Sequence, residues 1–163
     1  MEQKYQNRAI GLLVRGDEIL LGLRGEGIGE GNFVAIGGKQ EEGEAIEQTL
    51  VREIREEIAV TVTKFELVAK IDFSHEAKPD WDQCVVVFLC SEWTGDIQKL
   101  EDVTPKWFKK SAIPFDKMWE DNKDWYPLIL SGRKVKAKYR YGVDGKTVTA
   151  REITVVTNLI DKI

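Results

Sequence analysis

The densest chemistry in this chain lies in six residues, REIREE (52–57), which hold three glutamates and two arginines. Set on a helix, Glu53 and Glu57 are four residues apart and share a face. Glu56 lies three from Glu53, so the three carboxylates gather along one edge. Like charges at these spacings oppose an isolated helix by roughly a few tenths of a kcal/mol per pair. One explanation is a solvated face on which Arg52 and Arg55 offset the repulsion. The other is a site for hard divalent cations. Mg²⁺ takes carboxylate and water oxygens, and is commonly held by one or two carboxylates plus substrate phosphates. A carboxylate left over can orient or deprotonate a water.

The residues upstream decide between these readings. Gly37 and Gly38 close the apolar run FVAIGG (33–38), and Gly43 precedes Glu44. Glycines allow a tight loop with exposed carbonyl oxygens, which are further hard ligands. Arg52 stands eight residues after Glu44 and four before Glu56, so it can tie a loop carboxylate to the helix. Strand, glycine pair, acidic loop and acid-edged helix together form a unit suited to presenting cations to a polyphosphate.

This unit resembles the Nudix box, G-x5-E-x7-R-E-U-x-E-E-x-G-U, in which U is a bulky aliphatic residue. The matching positions are Gly38, Glu44, Arg52, Glu53, Ile54, Glu56, Glu57 and Val60. Ala59 stands where the family has glycine. That position ends the helix, where glycine eases a left-handed turn, so alanine is expected to strain the exit without touching a carboxylate. The segments LLGLRGEGIGEGNFVAIGGK, IPFDKMWEDNKDWYPLIL and KAKYRYGVDGKTV are also similar to MutT-like members, extending the resemblance to residues 8–150.

The resemblance implies an α/β (α+β) Nudix fold, a mixed sheet between helices, with the box as a loop–helix–loop at 38–60 and one domain over residues 1–163. It implies Mg²⁺, with Mn²⁺ as the alternative, held by Glu53, Glu56, Glu57, the Gly37 carbonyl and Asp102, with Glu101 as the neighbour that can replace Asp102. Glu44 and Arg52 become orienting partners, and the base that activates water is Glu53 or Glu56. Arg24 and Lys39 either steer phosphates or are ordinary exposed cations. Phe73, Trp119, Asp121, Asn122 and Trp125 match the family's base pocket, although tryptophans also serve simple packing. An aromatic wall with a carboxylate suits a purine: one stacks, the other pairs with the ring edge.

The implied reaction is nucleoside triphosphate to monophosphate and pyrophosphate, sanitising oxidised purines such as 8-oxo-dGTP. Other readings are a dinucleotide polyphosphate, a nucleotide sugar, an RNA 5′ end, or a non-catalytic nucleotide-binding module. Departures from the family fall on the pocket. Its paired aspartates become Asp121 and Asn122, its asparagine falls at Val34, its loop phenylalanine at Ile28, and its threonine at Ala9. A pocket that reads hydrogen bonds discriminates steeply when one partner is lost. His75, nearby, reads as structural or exposed.

The elements that must position these residues are legible in outline. AIGLLV, RGD and EILLGL form a hairpin, and residues 24–32 a glycine-rich mobile loop. FVAIGG reads as one short strand. Ile46, Leu50, Ile54 and Ile58 make one buried stripe of a helix over 44–58. Residues 60–74 form a long or bent strand, and CVVVFLC (84–90) a central one. KWF (106–108) is a short strand. A helix over 124–130 places Pro127 in its first turn, and the C-terminal hairpin turns on Asp144-Gly145.

Composition sets the outer bounds. A net charge of −4 and a pI of about 5.2 argue against a duplex nucleic-acid coat, yet allow a nucleotide partner whose phosphates a cation masks. No apolar leader and no membrane-length apolar run stand out. Cys84 and Cys90 read as two buried reduced thiols on one strand, too far apart to bridge. The expectation is a cytoplasmic monomer or homodimer acting on a small nucleotide.

Overall fold

The structure, a computed structural model, describes residues 6–25 and 30–159. Nine strands share one mixed sheet. They are β1 (Gln6–Arg15), β2 (Glu18–Arg24), β3 (Phe33–Val34), β4 (Ile36–Lys39), β5 (Thr61–His75), β6 (Gln83–Thr94), β7 (Val103–Lys109), β8 (Lys134–Tyr141) and β9 (Val148–Val156). Two helices complete the frame, α1 (Ile46–Ile58) and α2 (Asn122–Leu130). The order along the sheet is β3-β2-β1-β6-β5-β8-β9, with β4 also on β1 and β7 also on β2. Pairs β1–β6 and β5–β8 are parallel and the rest antiparallel.

The alternation of β6 shows why its sequence is continuously apolar. Val85 and Val87 face one core, whereas Val86, Phe88 and Cys90 face another. A strand covered on both sides has no polar face to display. The stripe of α1 forms one cover: Leu50, Ile54 and Ile58 are fully buried over Ala9, Leu13 and Ile36. On the other face Trp125, Tyr126 and Ile129 of α2 pack over Leu12, Ile71 and Val87.

The expected β1–β2 hairpin is present, with Leu13 opposite Leu20. Beyond it β1 leaves β2 and pairs Arg8–Gly11 with Ile36–Lys39 of β4. That splits the expected single strand FVAIGG in two. Phe33 and Val34 belong to β2, while Ile36 to Lys39 belong to β1. The split sets Gly38 against the Glu53 side chain of α1. The long strand β5 carries register shifts at Val62/Lys64, Lys64/Phe65 and Leu67/Ala69, which accounts for its bend.

Other expectations need amendment. KWF is the centre of a seven-residue strand paired with β2. Helix α1 begins at Ile46 rather than 44, with Ala45 as N-cap and the Gln48 side chain accepting the Ala45 N–H at 2.8 Å. Helix α2 begins at Asn122, so Pro127 lies in its second turn, not its first. The bond it forgoes is to the carbonyl four residues back, on a side where Lys123 and Pro127 are both exposed. Asp144-Gly145 sits at the tip of a longer connection, closed by Gly142 N–H to Thr147 O at 2.9 Å. Asp144 accepts the N–H groups of Lys146 and Thr147 there. Both cysteines are free, but only Cys90 is fully buried; Cys84 is half-buried beside Asp72. Of the mobile loop expected at 24–32, residues 26–29, Ile28 among them, lie outside the described residues, and Arg24 belongs to β2 with its N–H bonded to the Asn32 carbonyl at 2.9 Å. Among the described residues no helix is long and apolar enough to cross a membrane.

Candidate active site

Arg52 organises the acidic edge of α1. Its Nε and Nη2 donate to the two oxygens of Glu44 at 2.6 and 3.0 Å, a bidentate clasp. Its Nη1 reaches Glu53 at 3.0 Å and Glu56 at 3.2 Å, and its Nη2 also reaches the Lys39 carbonyl at 3.0 Å. One guanidinium therefore joins the end of β4, the acidic loop and two helix glutamates. The Glu44 carboxylate also accepts the Glu41 N–H and the Thr49 hydroxyl. Arg52 first, and then these donors, hold its pKa down to about 2.

The two positions of the glycine pair follow from close approach. A Cβ on Gly38 would lie 2.4 Å from the Glu53 carboxyl carbon, so the missing side chain makes room for that carboxylate. A Cβ on Gly37 would meet the Ala9 carbonyl oxygen at 2.0 Å. The Gly37 N–H donates to Glu57. Burial pushes Glu57 up to about 7, and repulsion from Glu53 and Glu101 adds to it against the pull of Gly37 and Arg24. Glu53 is raised by burial too, with Arg52 opposing and Glu56 and Glu101 reinforcing.

Glu101, not Asp102, is the loop acid whose charge acts on this pair. Asp102 is turned to Gly25: its carbonyl accepts the Gly25 N–H at 3.0 Å, and its carboxylate fills the space where a Gly25 Cβ would stand. Residues 101 and 102 form a bend that leads into β7.

A cleft of about 370 Å³ runs from Glu57 and Gly37, past Arg24 and Lys39, to the α2 side of the sheet. Phe73, Trp119, Asp121, Asn122 and Trp125, all expected in a base pocket, line it together with Val34. They contribute unequally. Trp125 is 2% exposed and donates its indole N–H to Asp121 at 2.8 Å. Asn122 donates to the same oxygen at 2.9 Å, and the Tyr141 hydroxyl donates to the other. Burial raises the pKa of Asp121, and these three donors oppose the rise. Asp121 is thus the acceptor at the centre of a buried network. Phe73 is buried and stacks on Tyr139, with ring centroids 5.7 Å apart. Trp119 stays partly open and meets Tyr141 edge-on.

Several lining residues escaped the sequence reading. Ala9 packs beneath α1, and it is Arg8 and Ile10, on the opposite face of β1, that reach the cleft. An arginine flanking the apolar run AIGLLV was the available signal. Tyr141 was hidden in the alternation of KYRY. His75, expected to be structural or exposed, is partly buried: it stacks on Tyr141 at 5.7 Å, meets Trp81 edge-on, and lines the cleft.

A slot with a buried carboxylate, continuous with an acid-edged helix after a glycine pair, fits a hydrolase of phosphoric anhydride bonds. The NUDIX domain matches residues 5–129, and the chain belongs to the Nudix hydrolase family, in its MutT-like branch. It is 32% identical over 130 residues to the oxidized purine nucleoside triphosphate hydrolase of Mus musculus, spanning 80% of this chain and 83% of that protein. It is 33% identical over 105 residues to the NAD-capped RNA hydrolase NudC of Pseudomonas aeruginosa, spanning 63% of this chain and 36% of that one. The crystal structure of a MutT protein from Bacillus halodurans superposes with a TM-score of 0.80 at 26% identity, over 91% of this chain and 97% of that one.

Proposed function

We propose that this chain is a Mg²⁺-dependent pyrophosphohydrolase of purine nucleoside triphosphates, releasing nucleoside monophosphate and pyrophosphate. The observation that carries the reading is the continuity of one cleft from the Asp121–Trp119 slot to Gly37 and Glu57. A nucleotide bound with its base at α2 would lay its phosphates towards the α1 glutamates.

The chemistry of the donor set suits a hard cation. Glu53 and Glu57 are carboxylates whose pKa values burial and mutual repulsion raise, and Glu101 adds charge from the facing loop. Among the described residues no three acids converge closely enough to cage an ion unaided. Phosphate oxygens would then complete the shell, as is usual for Mg²⁺. The residues to hold it are Glu53, Glu56, Glu57, the Gly37 carbonyl and Glu101. When bound, the cation neutralises phosphate charge and acidifies water. Arg52 orients Glu53 and Glu56, either of which can take the proton from the attacking water. Water adds to phosphorus, the bridging P–O bond breaks, and pyrophosphate departs with that electron pair. Arg24 and Lys39 line the cleft and offset phosphate charge.

The base is the open variable of this pocket. The Val34 side chain supplies no hydrogen bond, and one of the two Asn122 amide N–H groups already serves Asp121. Asn122 therefore has one N–H and its carbonyl oxygen left for a ligand. The test is pyrophosphate release with Mg²⁺ across normal and oxidised purine and pyrimidine triphosphates, 8-oxo-dGTP included, ranked by kcat/KM. NAD, a dinucleotide polyphosphate and a nucleotide sugar belong on the same panel. Turnover of a purine triphosphate above all others is expected. Turnover confined to dinucleotides would move the substrate class, and none at all would remove the reading.

A further inference from the structure

Arg8 is a cation that the roles above leave unused. It stands in β1, paired in register with Lys39 of β4 on one side and Val85 of β6 on the other. Its side chain lines the cleft, on the strand that lies between β4, which carries Gly37 and Lys39 at the glutamate end, and β6 and β5, which carry Gln83 and Phe73 at the slot end. Its Nε is buried without a hydrogen-bond partner. A buried donor left unpaired is costly, and a native structure rarely keeps one without a use.

The surroundings say what would satisfy it. Arg8 lies within electrostatic reach of Glu53 and Glu57, which favour its charge, and of Arg24, which opposes it. Burial opposes it more strongly than any of these. Two guanidinium groups facing one cleft repel unless an anion is shared between them. A guanidinium is also the side chain best matched to a phosphate, which it can hold by two parallel N–H···O bonds. In a nucleotide laid along this cleft, the anion midway between base and terminal phosphates is the phosphate bonded to the nucleoside.

We propose that Arg8, together with Arg24, binds the nucleoside-linked phosphate, the one retained on the monophosphate product. This rests on the nucleotide reading above. The consequence is an affinity for nucleoside monophosphate that does not depend on the metal, so Arg8 tightens both substrate and product.

The experiment is equilibrium binding in EDTA, followed by tryptophan fluorescence, because Trp81, Trp119 and Trp125 line the cleft. The probes are dGMP and deoxyguanosine, with the adenine pair alongside. The wild-type protein should prefer the monophosphate by about tenfold or more, as charge-assisted hydrogen bonds predict. Arg8→Gln should collapse that preference to within about threefold while leaving nucleoside affinity unchanged. Arg8→Lys, which keeps the charge and loses the fork, should restore part of it and provides a second variant if Arg8→Gln folds poorly. Retention of the wild-type preference in Arg8→Gln overturns the proposal, as does equal loss of both ligands, which would make Arg8 part of the base slot. Equal binding of both ligands by the wild type overturns it while the nucleotide reading stands. Binding of neither ligand removes the nucleotide reading itself.

Discussion

At the scale of single residues, Ala59 and Glu57 each carry a cost that can be read out. Ala59 occupies the left-handed region, with φ 68° and ψ 8°, and its N–H closes α1 on the Arg55 carbonyl at 3.0 Å. It is the one non-glycine residue at positive φ among the described residues. Ala59→Gly should therefore stabilise the protein by ~0.5–1 kcal/mol, the relief of left-handed strain less the extra entropy of unfolded glycine. Chemical denaturation measures this, and a loss of stability would mean the exit is not strained. Glu57 is raised from an ordinary 4.5 to about 7. The folded state then keeps a proton that the unfolded chain has released, so this contribution is full below 4.5 and fades as pH rises through about 7. Glu57→Gln, neutral throughout, should gain on the metal-free wild type from about pH 5 to pH 8. A difference that does not change with pH would show that Glu57 ionises normally. Adding a divalent cation to the wild type should close the gap.

At the scale of elements, the joint between β4 and α1 sets the site. Gly37 and Gly38 are adjacent, yet an added methyl group meets different obstacles at each. At Gly38 it meets the end of the Glu53 side chain, which can swing aside; at Gly37 it meets the backbone of β1, which cannot. Gly38→Ala should leave the melting temperature nearly unchanged and lower kcat by about tenfold or more, because a displaced carboxylate spoils positioning. Gly37→Ala should destabilise by ~1–3 kcal/mol through overpacking. Equal effects on stability in the two variants would contradict this assignment. The same joint explains why Arg52 bonds Glu44, Glu53, Glu56 and the Lys39 carbonyl at once: it stands where strand end, loop and helix meet.

At the scale of the whole molecule, the cleft joins residues from both helices, with Glu57 of α1 and Asn122 and Trp125 of α2 in one lining. Tyr141 shows the coupling. It lies at the end of β8, yet its hydroxyl donates to Asp121 at the start of α2 while its ring carries His75 and Trp119. Tyr141→Phe keeps the ring and removes one of the three donors to a buried carboxylate. It should cost ~1–3 kcal/mol in urea denaturation and weaken nucleotide binding. Unchanged stability would mean that Asp121 is satisfied without it.

The acid-edged helix was written in the sequence, because four-residue spacing of Ile46, Leu50, Ile54 and Ile58 leaves the glutamates one edge to occupy. The same local rules marked the central strand and both hairpins. That the charge of Glu101 acts on the glutamates while Asp102 sits against Gly25 depended on the bend by which the chain enters β7. The division of FVAIGG between two partners, the inward turn of Arg8, and the bond from Tyr141 to Asp121 arise from contacts between segments distant in the chain. Spacing encodes what lies on one face of an element. Which faces meet, and which charges are left without water, is decided only when the sheet closes over its two cores.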